Sequence, residues 1–217
     1  MSTEFEGRAH DRTESDERLR ELHARAVWLS TEVVARVGAD RLSAETPCAE
    51  WDLRALLTHM ATQDRGFAGA ARGADDPGAW EVRPAADPVA DYLAAADEVV
   101  AAFAEPGVFE RTVLLPEVSS EHRLPAVTAI RFHLVDSVVH AWDVARSIGE
   151  TVDPDRELAL MALEIAAAVP DGSFRLEPGA AFAPVLAAAD SGSTMDRVLR
   201  LLGRAPEWTP SRPSSPA

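Results

Sequence analysis

Apolar residues recur at helical spacing along most of the chain. From about Ser15, the residues Leu19, Leu22, Ala26, Leu29, Val33 and Val37 fall at steps of three and four, and Gly38 suits the stop. Asp52 reads as the N-cap of a second helix to about Arg72, with Leu53, Leu56, Leu57, Met60 and Phe67 on its apolar stripe. Asp87-Pro88 pairs an N-cap with a first-turn proline and opens a third helix, carrying Val89, Leu93, Ala96, Val100 and Phe103 up to Pro106-Gly107. A fourth runs from about Pro125 to Ser147 and ends at Gly149, and Asp153-Pro154 opens a fifth, alanine-rich one to about Val169.

The segments between these helices are short or irregular. Thr46 to Asp52 is a turn, and 73–84 is a loop rich in Gly, Pro and Asp. Thr112 to Leu115 is strand-like and predicts a short hairpin or extended link. Another short strand is expected near Phe174 to Leu176, and Ser193-Thr194-Met195-Asp196 has the form of a capping box opening a short helix to Gly203. Residues 1–14 are polar and aperiodic, and the proline- and serine-rich tail from 206 to 217 has no apolar period; both are expected to be disordered. The pattern predicts an all-α chain: one domain over 15–205, a four-helix bundle with a short hairpin, a fifth helix and a small C-terminal flap.

Composition narrows the partners. The 217 residues suffice for one ordinary core. The net charge of −15 opposes nucleic-acid phosphates, and no run approaches the roughly 18 apolar residues of a membrane span. The N-terminus shows no apolar signal region, and a single cysteine, Cys48, excludes an internal disulfide framework. These features point to a soluble, cytoplasmic protein with a small-molecule partner, no nucleic acid and no membrane. An exposed apolar helix face leaves room for a homodimer.

The chemistry concentrates on the fourth helix. Asp136 and His140 are four apart, a rotation of about 400°, so both project from nearly the same face. His133 and Asp143 extend that polar stripe in both directions among Phe132, Leu134, Val135, Val138, Val139 and Trp142. Buried imidazoles and carboxylates need partners, and spacing alone leaves two open: a metal, or a mutual Asp–His hydrogen-bond network. His59, mid-way along the second helix, can face the stripe and make the ligand set His59, Asp136 and His140. Two imidazoles and a carboxylate suit zinc first, then nickel, iron or manganese, with positions left for water or substrate. Asp143 reads as an acceptor orienting a histidine, and His133 as a candidate proton shuttle or a core histidine. Cys48 reads as a thiol near a helix N-terminus or, more simply, as a small filler in a turn. Trp51 and Trp142 read as core anchors, Arg146 as an exposed helix-end cation, and His10, His23 and His122 as surface or edge residues.

Two motifs resemble a known family. Thr46-Pro47-Cys48-x-x-Trp51-Asp52-Leu53-Arg54-x-Leu56-x-x-His59 is similar to the opening of helix two in the DinB-like bundles, and specifically in the mycothiol-dependent maleylpyruvate isomerase N-terminal domain. Asp136-x-x-x-His140-x-Trp142-Asp143-x-Ala145-x-x-x-Gly149 resembles that group's fourth helix, and the run from Phe182 to Arg204 resembles an uncharacterised branch of it. The resemblance spans roughly residues 15 to 208. It implies a divalent metal on His59, Asp136 and His140, a thiol of the mycothiol type as co-substrate, and isomerase or S-transferase chemistry on a small electrophile. Aspartate stands at 136 where the isomerase pattern has glutamate, and the isomerase carries a larger C-terminal domain. The alternative is a non-catalytic, metal- or small-ligand-binding stress-response bundle.

Overall fold

The computed structural model describes residues 2–48, 50–116, 118–119, 121–177, 180–187 and 192–211, with side chains from residue 14 onward. Among them the chain forms six α-helices and one two-stranded antiparallel sheet. The helices are α1 (Ser2–Val34), α2 (Leu53–Ala71), α3 (Pro88–Phe103), α4 (Ala126–Ile148), α5 (Arg156–Ala168) and α6 (Thr194–Leu201); the strands are β1 (Thr112–Val113) and β2 (Leu124–Pro125). None of these helices is long and apolar enough to cross a membrane.

α1 packs along α4 and α2 along α3, while contacts of α2 with α4 and of α1 with α3 close the four-helix bundle. The expected all-α, DinB-like architecture is what the chain adopts. The helix starts follow local chemistry. Asp52 accepts from the Ala55 amide at 2.8 Å, and Asp87 from the amides of Val89 and Ala90 at 3.1 Å each. α4 has no side-chain cap, but the hairpin leads into it: Val113 pairs with Leu124, and the Ala126 amide donates to the Arg111 carbonyl at 3.0 Å. At its other end Gly149 takes φ of +80°, the left-handed conformation that glycine adopts without a Cβ penalty.

α4 is the central element, touching α1, α2 and α5. It is buried nearly all round, so its polar residues must find partners inside the protein.

Several local expectations shift. α5 is capped by Asp155, which accepts from the amides of Glu157 and Leu158, rather than opening at Asp153-Pro154. The strand expected near Phe174 is a 3-10 turn, Ser173–Leu176. Its cause is Arg175, which is buried and donates to the carbonyls of Val169, Pro170, Ala183 and Leu201. One guanidinium thus ties the end of α5, the chain around Ala183 and the end of α6 together. The capping box at Ser193 and Asp196 forms as expected.

The flap also reaches further than expected. Trp208 packs on the core, its carbonyl accepts from Arg146 at 2.6 and 3.0 Å, and the Ser211 amide donates to Glu45 at 2.7 Å. Residues 206–211 are therefore docked rather than disordered, and Arg146 is bound rather than free. Residues 212–217 lie outside the described residues, as do the side chains of residues 1–13, His10 among them; the backbone expected to be disordered over 1–14 is helical from Ser2, as the first part of α1.

Candidate metal centre

α2 and α4 bring the three expected ligands together. The His59 and His140 rings lie edge to face with centroids 5.5 Å apart, and Asp136 Oδ1 is 3.3 Å from His140 Nε2. The turn before α2 supplies Trp51, whose ring lies tilted against that of His59, with centroids 4.4 Å apart. That turn is held by Thr46, which donates to the Trp51 carbonyl at 2.8 Å and accepts from the Cys48 amide at 3.1 Å.

The partner of the other nitrogen decides the orientation of His140. Asp143 is fully buried, and its Oδ2 lies 2.9 Å from His140 Nδ1. A carboxylate only accepts, so Nδ1 carries a proton and Nε2 faces Asp136. A carboxylate behind a histidine is the arrangement that orients metal-binding imidazoles. Asp143 therefore stands in the orienting role that its spacing suggested.

The charges around His140 act against its burial. Burial disfavours the charged form of His140, but the carboxylates of Asp136 and Asp143 outweigh it and hold the imidazole well above its ordinary pKa. Burial likewise raises Asp136, but the charge on His140 and its hydrogen bond win, so Asp136 stays ionised. In the metal-free chain a proton on Nε2 thus occupies the position between imidazole and carboxylate. His59 behaves oppositely: burial, helped by His140 and opposed by Asp136, pushes it down to about 4. It is neutral at pH 7, with a lone pair to give. Asp136 keeps 29% of its side-chain surface exposed against 6% for His140, which makes it the solvent edge of the site.

A second donor set shares His140. The ligand atoms of Cys48, His140 and Asp143 all lie within 4.8 Å of one another. A cation already holds that set, because Arg204 Nε sits 3.2 and 3.1 Å from the two oxygens of Asp143. An Arg204 terminal nitrogen lies 3.1 Å from Asp143 Oδ2 and 3.6 Å from Cys48 Sγ. Burial lowers the Arg204 pKa, but Asp143 more than restores it, so the guanidinium remains charged and repels a metal there. Among the described residues Cys48, His140 and Asp143 are the one set whose ligand atoms approach this closely, and Arg204 fills it; His59 and Asp136 stand on the other side of His140, without a resident cation side chain.

Cys48 is thus more than a filler: its thiol points at Asp143, 3.4 Å away. Arg204 was missed in the sequence because its contact crosses 61 residues; the local signal is only Gly203, whose φ of +77° turns the chain back.

His133 is not part of this corner. It is fully buried, with Nδ1 2.9 Å from His23 Nε2 and Nε2 2.8 Å from Asp64 Oδ1. Phe67 and Phe103 pack edge-on against the His133 and His23 rings. Both nitrogens of His133 are engaged by buried partners, which fits the core-histidine alternative. His23, expected at the surface, is 1% exposed and belongs to this second network. Burial and the neighbouring His133 press its pKa well down, while burial raises that of Asp64. His122 is the surface histidine that its sequence context suggested, beside Ser119.

Comparison with known proteins gives two results. The family described as the mycothiol maleylpyruvate isomerase N-terminal domain matches residues 19–145. Uncharacterised proteins from two strains of Mycobacterium tuberculosis are each 32% identical over 188 residues, covering 84% of this chain and 95% of theirs. No solved structure matches the chain.

Proposed function

The chain belongs to the mycothiol maleylpyruvate isomerase N-terminal domain family, and from that premise we propose that it binds a divalent metal through His59, Asp136 and His140 and uses a low-molecular-weight thiol on a small electrophile. The observation that carries this reading is His140, fixed through Nδ1 by Asp143 with Nε2 turned to Asp136 beside the neutral His59. Two imidazoles and a carboxylate favour zinc, with nickel, iron and manganese also suited. A bound divalent ion would supply Lewis-acid activation, lowering the pKa of a coordinated thiol.

The protein's own residues do the rest. Asp143 sets the tautomer and aim of His140, and Trp51 walls one face of His59. Asp136, on the exposed edge, marks the side from which a thiol and its electrophile enter. Addition of a thiolate to an activated double bond, rotation and elimination would be isomerisation; addition without return would be S-transfer. One observation favours a second reading, a bundle that holds metal and small ligand without turnover: His133, the candidate proton shuttle, hydrogen-bonds to His23 and Asp64 in the core rather than to the three ligands.

Turnover separates the two. Zinc-loaded protein incubated with mycothiol and either maleylpyruvate or an alkylating fluorogenic electrophile is expected to exceed the uncatalysed rate at least tenfold, and His140→Ala to fall to background. Rates at background for the loaded parent with both electrophiles would leave the non-catalytic reading.

A further inference from the structure

We infer that the flap completes the metal centre: Arg204, delivered by α6, is a positioning residue that holds Asp143 against His140 and so fixes the aim of the ligand nitrogen. The inference rests on the metal reading above and reaches beyond the residues that match the family, which end at 145.

The argument starts from Asp143. Its side chain is fully buried on α4, and an ionised carboxylate there needs compensating donors. His140 offers one N–H and Cys48 a weak S–H; Arg204 supplies the full charge and contacts both carboxylate oxygens. The planar fork of a guanidinium fixes the plane of a carboxylate, which a single donor does not. With that plane set, Oδ2 stays under His140 Nδ1 at 2.9 Å and Nε2 stays turned to Asp136.

Arg204 is itself held firmly. Gly203 ends α6 in the left-handed region, and a Cβ there would meet the Ala183 carbonyl oxygen at 2.5 Å, so the chain reverses where only glycine fits. The Arg204 amide then donates to the Leu199 carbonyl at 2.8 Å, and Arg175 anchors both Leu201 and Ala183 from behind. The guanidinium also reaches Cys48, in the turn that leads into α2. One side chain from outside the bundle therefore touches the supports of both ligand-bearing helices.

The test uses the full chain, zinc competed against a chelator, and cobalt(II) as a spectroscopic probe. Arg204→Gln is expected to weaken zinc binding by about ten- to a hundredfold, the range for partners behind a metal-bound histidine. Arg204→Lys, which restores charge without the fork, should recover part of it. Pairing Arg204→Gln with Asp143→Asn should cost no more than the worse single change, because the two act through one contact. The cobalt absorption bands should shift in Arg204→Gln, which a remote structural defect would not produce. A folded Arg204→Gln with parental zinc affinity and cobalt spectrum would overturn the inference while leaving the metal reading intact. If Arg204→Gln does not fold, Arg204→Lys decides, and parental affinity and spectrum there would equally overturn it. A parent that binds no zinc would remove both readings together.

Discussion

Asp143→Ala is expected to destabilise the metal-free protein by about 4 kcal/mol, the cost of removing one partner from a buried ion pair. The loss has a specific source. Arg204 keeps only 12% of its side-chain surface exposed, so without Asp143 it is a nearly buried guanidinium lacking its counter-charge. His140 Nδ1 and the Cys48 thiol lose an acceptor in the same step. For a chain of this size the melting temperature should fall by roughly 10 °C. Removing both charges, with Asp143→Ala and Arg204→Met together, should cost less than Asp143→Ala alone, because the stranded cation goes too. Thermal and urea unfolding of the parent and the two variants measures this. A single-variant loss under about 1 kcal/mol, or a double variant that simply sums the two losses, would contradict the pairing.

The metal-free protein should also lose stability as pH falls below about 6.5, the ordinary histidine value. Burial holds His23 well below that value in the fold, and His59 is pushed down to about 4. Between the unfolded and folded values, the unfolded chain binds the extra protons, so acidification favours it. Each histidine contributes a slope of about 1.4 kcal/mol per pH unit across its window, which for His59 closes near pH 4. The other resolved groups act elsewhere or oppose. Asp64, raised by burial, holds its proton longer in the fold and works against the acid loss only above its ordinary carboxylate range. His140, held high by its two carboxylates, contributes stability that is complete below about 6.5 and is lost as pH rises through its folded value. His23→Gln removes the titration and keeps a donor toward His133. Urea midpoints between pH 7 and pH 5 should therefore give that variant a slope shallower by about 1.4 kcal/mol per pH unit. Parallel slopes for parent and variant would remove His23 from the account.

The bundle was legible because its signals are local. Asp52, the Asp87-Pro88 pair, Gly149 and the Ser193–Asp196 box each act within a few residues, and the structure uses each where the sequence places it. The same holds for Asp136, His140 and Asp143, because helical spacing fixes which faces they share. The second network was within reach and overlooked. His23 lies four after Leu19, and Asp64 four after Met60, on the apolar stripes of α1 and α2. A polar residue on such a stripe needs a partner in the core, and here they partner His133, one from each side. Arg204 and Cys48 were beyond local reasoning. Their meeting with Asp143 depends on how α6 and the turn before α2 return to α4, across 61 and 95 residues. Arg175 shows the same limit: one buried cation organises the flap through four carbonyls that no spacing rule connects.

The central claim is that His59, Asp136 and His140 hold a divalent ion, and the metal content of protein purified without chelator or affinity tag tests it most directly. The parent and Cys48→Ala are expected to carry close to one divalent ion per chain, and His59→Ala and His140→Ala to carry almost none. A parent that stays metal-free after incubation with zinc, nickel and manganese, or metal that survives His59→Ala but is lost in Cys48→Ala, would contradict it.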